Sequence, residues 1–293
     1  MRSLSAAQVQ AIRSKRRSRE VLFRILSLTA VLLAMLMLFL LLFGILRDGA
    51  ARLNPDFFTS FGSRFANRAG IKAALAGSLW MIGLTFVIAV PCGVAAAVYL
   101  EEYGKKNWFT NFVQINISNL AGVPSIVYGL LGLTVFVRLF GFERSVLAGS
   151  CTMALLILPT VIITTQEALK AVPSSLRQGS LALGASKWQT ISKQVLPMAL
   201  PGIMTGVILS LARAIGETAP LVVVGAVSFI AATPSNVRSP FTVLPIQIFN
   251  WTSRPEKEFQ ANAAAAIIVL LAVLFTMNMI AILIRNRFEK RRV

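Results

Sequence analysis

The sequence predicts an all-α membrane protein with six transmembrane helices, and three observations carry this. Of 293 residues, 56% are hydrophobic and 14% charged, with a mean hydropathy of +0.73; ordinary soluble domains are about 25% charged. Apolar runs long enough for roughly 30 Å of hydrocarbon recur along the chain. The 29 Lys and Arg, against 11 Asp and Glu, gather at the ends of those runs. A pI near 11.3 would suggest nucleic acid in a soluble chain. Here the positive-inside rule explains the charge better, so membrane lipid is an expected partner and nucleic acid is not.

The elements follow in order. Residues 1–21 form a basic tail containing "RSKRRSRE". The first span, 22–46, holds an apolar run from Ile25 to Leu46 that is too long for a cleaved signal peptide, so it reads as a retained helix. The connection 47–72 carries Arg47, Arg52, Arg64, Arg68 and Lys72 against Asp48 and Asp56. That is either a basic mouth that attracts an anion or a solvated loop. Further spans are expected at 73–100, 112–137, 145–166, 200–232 and 262–284, within a core of 73–288, followed by a basic tail 289–293. Basic ends and an even number of spans place both termini in the cytoplasm, with about eighteen Lys and Arg inside and about ten outside. Residues 233–261 read as an outer loop. There is no histidine, and Cys92 and Cys151 sit within apolar runs. They read as small buried hydrophobes rather than a disulfide or metal site.

The cytoplasmic stretch 167–199 is too long for a turn. Pro173 followed by Ser174 and Ser175 is a helix start, and Leu176, Leu183, Trp188 and Ile191 are apolar at helical spacing. Gly184 can close a first helix, "ASKWQTISKQVL" can form a second, and Pro197 is expected to end it. Such a pair either docks on a cytoplasmic partner or lies on lipid.

The most informative segment is "SLARAIGETAPL", which places Arg213 and Glu217 four residues apart in an apolar run. A central membrane charge costs at least about 2.5–3.5 kcal/mol, so both must face protein or water. The four-residue spacing puts them on one helix face, although Glu before Arg would suit the helix dipole better. Gly202, Gly206, Ser210, Ala214 and Thr218 form a small-residue stripe beside them, suited to close helix approach. Pro220 leaves the carbonyl of Gly216 without its helical donor. Either the pair locks helices together, or Glu217 holds Arg213 until a multiply charged oxyanion shares the guanidinium. Spacing does not separate the two.

"LPGIMTGVILSLARAIGETAPL" resembles the fifth-span region of phosphate ABC transporter permeases, and "GETAPL" resembles the PstA-type subunit in particular. The stretch 167–199 resembles the coupling loop of binding-protein-dependent ABC importers. Gly184, Leu196 and Pro197 match its pattern, while Gln178, Gly179 and Ser180 stand in place of Glu-Ala-Ala and Gln194 in place of isoleucine. The resemblance implies the type I ABC importer (MetI-like) permease fold in a bacterial plasma membrane. It implies a non-enzymatic subunit with no cofactor of its own, ATP and Mg being bound by separate subunits. The implied partners are a PstC-type permease, two PstB-type ATP-binding subunits, a PstS-type phosphate-binding protein and phosphate itself. Arg213, with Glu217, Thr218 and Ser210, would line the substrate path. Ser174, Ser175, Leu176, Arg177, Gln178, Gly179, Ser180, Ala182, Leu183, Gly184, Ala185, Ser186, Lys187 and Trp188, with Leu196 and Pro197, would face the ATPase. The chain has no G-x-x-x-x-G-K-[ST] sequence, in keeping with nucleotide binding elsewhere. A sulfate or molybdate permease, a self-sufficient secondary transporter and a phosphate-signalling subunit are the alternatives. No second copy of the Arg–Glu segment supports the inverted repeat that a secondary transporter often shows.

Overall fold

The computed structural model describes residues 6–105, 107–226 and 229–290. The tail ends 1–5 and 291–293, and positions 227 and 228 of the expected fifth span, lie outside the described residues. Among the described residues every regular element is helical. Among the described residues five helices are long and apolar enough to cross a membrane, or six if one bent helix pair counts as a single span.

Helix α1 (Ala6–Gly49) runs unbroken from the basic segment through the first apolar run, for it contains no proline and no glycine before Gly44. None of its most apolar window is buried against the rest of the chain. It meets the bundle only near its end, where Gly49 lies against the backbone of Ala264 and Ala265. Short helix α2 (Pro55–Thr59) follows, capped by Asn54, whose side chain accepts from the Phe57 amide. Helix α3 (Lys72–Val98) continues through a π-helical turn, Tyr99–Tyr103.

The expected third span is not one helix. α4 (Trp108–Ala121) and α5 (Ser125–Gly132), the latter extended by a π turn to Leu139, meet at 104°. Gly122 and Pro124 stand at the bend: Pro124 has no amide to donate, and it disfavours the helical region for Val123. α6 (Val146–Lys170) is the central post, with 67% of its apolar window buried, more than any other span. α3 packs along one side of it, where Ser150 donates to the carbonyl of Met81 and Thr85 to that of Ser150.

α7 (Ser174–Ala182) begins at the Ser–Ser pair, and the left-handed Gly184, φ +85°, follows it. α8 (Lys187–Thr190) is capped reciprocally by Ser186 and Gln189. It is not a separate second helix. A π turn at Ile191–Val195 joins it to α9 (Leu196–Gly216), giving one 30-residue span from Lys187 to Gly216. Pro197 therefore does not terminate a helix. It lies just inside α9, immediately after the π turn, a local adjustment of the kind that accommodates proline within membrane helices.

The expected fifth span also ends early. α9 stops at Gly216, and α10 (Ala219–Val224) ends at Gly225 with φ +97°. Residues 229–243 are not helical. α11 (Leu244–Thr252) and the final span α12 (Glu258–Lys290) complete the chain.

The connections 47–72 and 233–261 are folded rather than loose. Phe57, Trp251 and Phe259 are buried together with Leu244 and Ile71. Arg52 holds this layer: its Nε donates to Asn262 Oδ1 at 2.7 Å and its Nη2 to the carbonyls of Ala66, Asn67 and Ala69. Arg64 and Lys72 lie over the rings of Phe65 and Phe61 at 4.9 and 5.1 Å. Much of the basic charge expected of an open mouth is thus engaged within the layer.

The small-residue stripe on α9 does its packing inside this chain. Gly202 faces the Ala168 side chain, and Gly206 faces Thr164, both on α6. A β-carbon at Gly206 would run into the Thr164 hydroxyl. Gly206→Val should therefore cost about 1–3 kcal/mol by overpacking. Thermal unfolding of the purified protein in detergent, with a lowered midpoint, checks this; an unchanged midpoint would show that α6 and α9 can separate freely.

Candidate functional site

Two of the interrupted spans meet. α5 packs on α10 so closely that a β-carbon on Gly129 would sit 2.7 Å from Pro220 Cα. At the bend above α5, the Tyr128 hydroxyl donates to the carbonyl of Leu120 at 2.7 Å. Arg213 lies in the last turn of α9, three residues before the chain leaves that helix. Irregular backbone at membrane depth is tolerated where it lines a cavity or is buried in protein.

Arg213 and Glu217 are brought together, with Nε donating to Oε1 at 3.4 Å. Their side chains are 52% and 21% exposed. The bond is long for a charge-assisted pair, and the other nitrogens of the guanidinium make no hydrogen bond within the described residues. An ion pair this open adds little stability. Leu209, Arg213 and Gly216 form one exposed line on α9, so the charge lies on a face that the described residues leave uncovered. Glu217 itself has left the helix, with ψ 123°, and its amide reaches back to Ala214.

The other two pathway candidates are placed differently. Thr218 is partly exposed and stands at the N-cap position of α10, with no side-chain capping bond. Ser210 is 2% exposed and donates to the carbonyl of Gly206 on its own helix. It is buried one turn from Gly206, which meets α6. Tyr128 and the bend at Gly122–Pro124 were not singled out from the sequence. "AGVPS" inside an apolar run was the available signal, since Gly-x-Pro breaks helices.

The stretch 167–199 presents an apolar surface at one end of the bundle. Leu183 is 90% exposed and Trp188 61%, with Leu176 and Leu181 beside them. The left-handed Gly184 sets the angle between α7 and α8, and Ser180 shares a 2.9 Å hydrogen bond with Thr190 across it. Ser174, Ser175, Gln178 and Gly179 are on or near the open surface of α7, as are Ala182, Ala185, Ser186 and Lys187 along the turn into α8. Leu196 and Pro197 lie farther up the fifth span. Arg177 is folded inward to Glu102 at 2.8 Å. No group of His, Cys, Asp and Glu suited to a metal ion occurs among the described residues.

A central post flanked by two spans, broken helices around a half-exposed ion pair, and an exposed helical elbow at one end define a multi-span transport permease. The profile described as "Binding-protein-dependent transport system inner membrane component" matches residues 89–293, and the chain belongs to that family. A domain of unknown function, DUF3333, matches residues 10–54. The chain is 35% identical to the phosphate transport system permease protein PstA of Yersinia pestis, covering 94% of this chain and 92% of that one. It is 38% identical to PstA 1 of Mycobacterium tuberculosis H37Rv over 76% and 72% of the two chains. It is 32% identical to the probable ABC transporter permease protein YqgI of Bacillus subtilis over 80% and 84%.

Solved structures agree on the fold. A chain of the inward-facing MetNI methionine ABC transporter superimposes with TM-score 0.60 at 18% identity, over 74% of this chain and 97% of that one. A chain of a bacterial alginate ABC importer gives 0.64 at 17% identity, over 93% and 98%. The fold is that of type I ABC importer permeases.

Proposed function

We propose that this chain is the permease subunit of an ATP-driven importer of inorganic phosphate, one half of the translocation pathway. The observation that carries the reading is the Arg213–Glu217 pair, on an uncovered face at the junction of two broken spans. Lipid is a poor solvent for that face, because a central charge costs at least about 2.5–3.5 kcal/mol there. A second permease subunit enclosing a watery path satisfies it. The likeness to proteins named as phosphate permeases then supports phosphate over other oxyanions.

In this reading Glu217 keeps Arg213 extended and partly unpaired. An arriving phosphate takes up the free guanidinium nitrogens, whose planar fork suits two oxygens of a tetrahedral anion. Glu217 limits how tightly the anion is held, which a transporter needs as much as binding. The exposed elbow of α7 and α8 rests on ATP-binding subunits, which hold ATP and Mg. Both termini lie in the cytoplasm, and an extracytoplasmic phosphate-binding protein delivers the anion to the opposite side.

Purification in mild detergent tests the class. ATP-binding subunits, a second permease and a binding protein should come down with this chain. Reconstituted in vesicles, the assembly should take up labelled phosphate only with ATP, with unlabelled phosphate competing better than sulfate or molybdate. Uptake of phosphate by this chain alone, without ATP, would replace the reading with a secondary transporter.

A further inference from the structure

The π turn that ends α3 meets basic side chains from the coupling segment at three successive positions. Lys170 Nζ is 3.6 Å from Glu101, Arg177 is 2.8 Å from Glu102, and Lys187 Nζ lies 4.9 Å above the Tyr103 ring. These contacts differ in weight. Lys170 is 57% exposed, so its pair is a surface contact of small value. Tyr103 is exposed as well, and its cation–π contact is modest. The middle pair is sheltered: Glu102 is 9% exposed and Arg177 23%.

Arg177 joins three elements. Its Nε and Nη2 both donate to Glu102 Oε1, at 3.1 and 2.8 Å. Its Nη1 donates to the carbonyl of Val172 at 2.7 Å, and its Nη2 to that of Leu169 at 2.8 Å. Leu169 is among the last residues of α6, and its carbonyl, which also accepts from the Val172 amide at 3.2 Å, gains the guanidinium as a further donor. α7 itself buries no residue. With no apolar anchor, this helix is held to the membrane spans chiefly by one guanidinium and by the Ser180–Thr190 hydrogen bond. A π turn inside a helix often marks a functional site, and here it presents Glu102 to that guanidinium.

We propose that Glu102 is a positioning residue for energy coupling: through Arg177 it clamps α7 to the ends of α3 and α6, so that force on the exposed elbow reaches the second and fourth spans as one body. This rests on the reading of α7 and α8 as the ATPase-facing elbow. α3 and α6 pack on each other more extensively than any other pair, so a force on their shared end moves both. The clamp stays closed through the transport cycle; the elbow does not slide against α3.

The test is a switchable covalent replacement of the ion pair. In the reconstituted full assembly, with Cys92→Ser and Cys151→Ser, the variants Glu102→Cys and Arg177→Cys are made singly and together. Glu102→Gln serves as an isosteric companion that keeps the carbonyl contacts of Arg177. Each single variant should lower phosphate moved per ATP hydrolysed about fivefold, within the range by which coupling networks respond to mutation. Bridging the two thiols with a short bis-methanethiosulfonate should restore the ratio to within about twofold of wild type, and a reductant should abolish the gain. Recovery on bridging an already assembled transporter is not expected of a residue that only aids folding.

Stimulation of ATP hydrolysis by the binding protein is read in parallel, since it reports coupling whichever anion is carried. An assembly that is stimulated but carries another oxyanion overturns the phosphate reading, and the bridging experiment still decides the clamp. Single variants coupled as well as wild type, or a bridged pair no better coupled than the reduced one, would overturn the clamp. Inhibition on bridging would overturn it too, by showing that α7 must move against α3.

Discussion

Arg213→Ala is expected to reduce phosphate uptake about 100-fold in an assembly that still forms and still hydrolyses ATP. The size follows from losing two charge-assisted hydrogen bonds to an anion, about 3 kcal/mol together, at 1.4 kcal/mol per tenfold. Assembly should survive because the side chain is 52% exposed on this chain and pairs with Glu217 over a long 3.4 Å contact. The variant with both charges exchanged, Arg213→Glu with Glu217→Arg, separates the two roles left open by the spacing. If the pair only locked helices, exchange would restore uptake. The path reading expects no recovery, because a carboxylate then stands where the anion must pass. Uptake of labelled phosphate into vesicles, normalised to assembled complex, decides between them; wild-type uptake by Arg213→Ala would falsify the anion-path role.

The second large effect is expected at Gly184, whose φ of +85° sets the elbow between α7 and α8. A β-carbon there has open space, so the constraint is conformational rather than steric crowding. Left-handed backbone costs an ordinary L-residue roughly 1–2 kcal/mol, and a β-branched one is a genuine outlier there. Gly184→Val should swing the exposed Leu183 and Trp188 out of register with their docking partner. Uptake should fall about tenfold while ATP hydrolysis continues, a loss of about 1.4 kcal/mol in coupling. Gly184→Asn is the matched control, because asparagine accepts this conformation far more readily. It should retain most uptake. Equal uptake by Val and Asn variants would mean that the elbow angle carries no force and would favour a helix lying on lipid.

Much of the architecture was legible because its signals are local. Length and apolarity mark spans wherever they occur, so the helices at 72–98, 146–170 and 258–290 lie close to their expected bounds. Pro173, Ser174, Ser175 and Gly184 announced α7 and its end through backbone preferences that need no neighbours. The breaks were harder. Hydropathy is blind to backbone direction, so the run through 112–137 read as one helix although Gly122 and Pro124 turn it by 104°. Pro197 misled in the opposite sense, since a π turn absorbs it. The connections 47–72 and 233–261 read as loops because their buried aromatics are scattered in sequence and meet only in the folded chain, where the Phe57 and Trp251 ring centroids lie 6.0 Å apart.

For the candidate site, the sequence placed Arg213 and Glu217 on one helix face and named the elbow. It did not reveal that Tyr128 ties the bend through the Leu120 carbonyl, or that Ser210 is buried and bonded within its own helix. Arg177 was read as one more surface residue of the elbow, although its partner Glu102 lies 75 positions away.

By itself, then, the chain's order of residues determined what kind of molecule this is: a many-span helical protein with basic ends, and one Arg–Glu step too costly to leave in lipid. These are properties of segments, summed over neighbours in sequence. Only the tertiary structure decided which faces stay open, where two broken spans meet, and which guanidinium is spent inward on a clamp rather than outward on an anion. Those outcomes depend on what each side chain finds across the bundle, and a helix face carries no mark of its future neighbour.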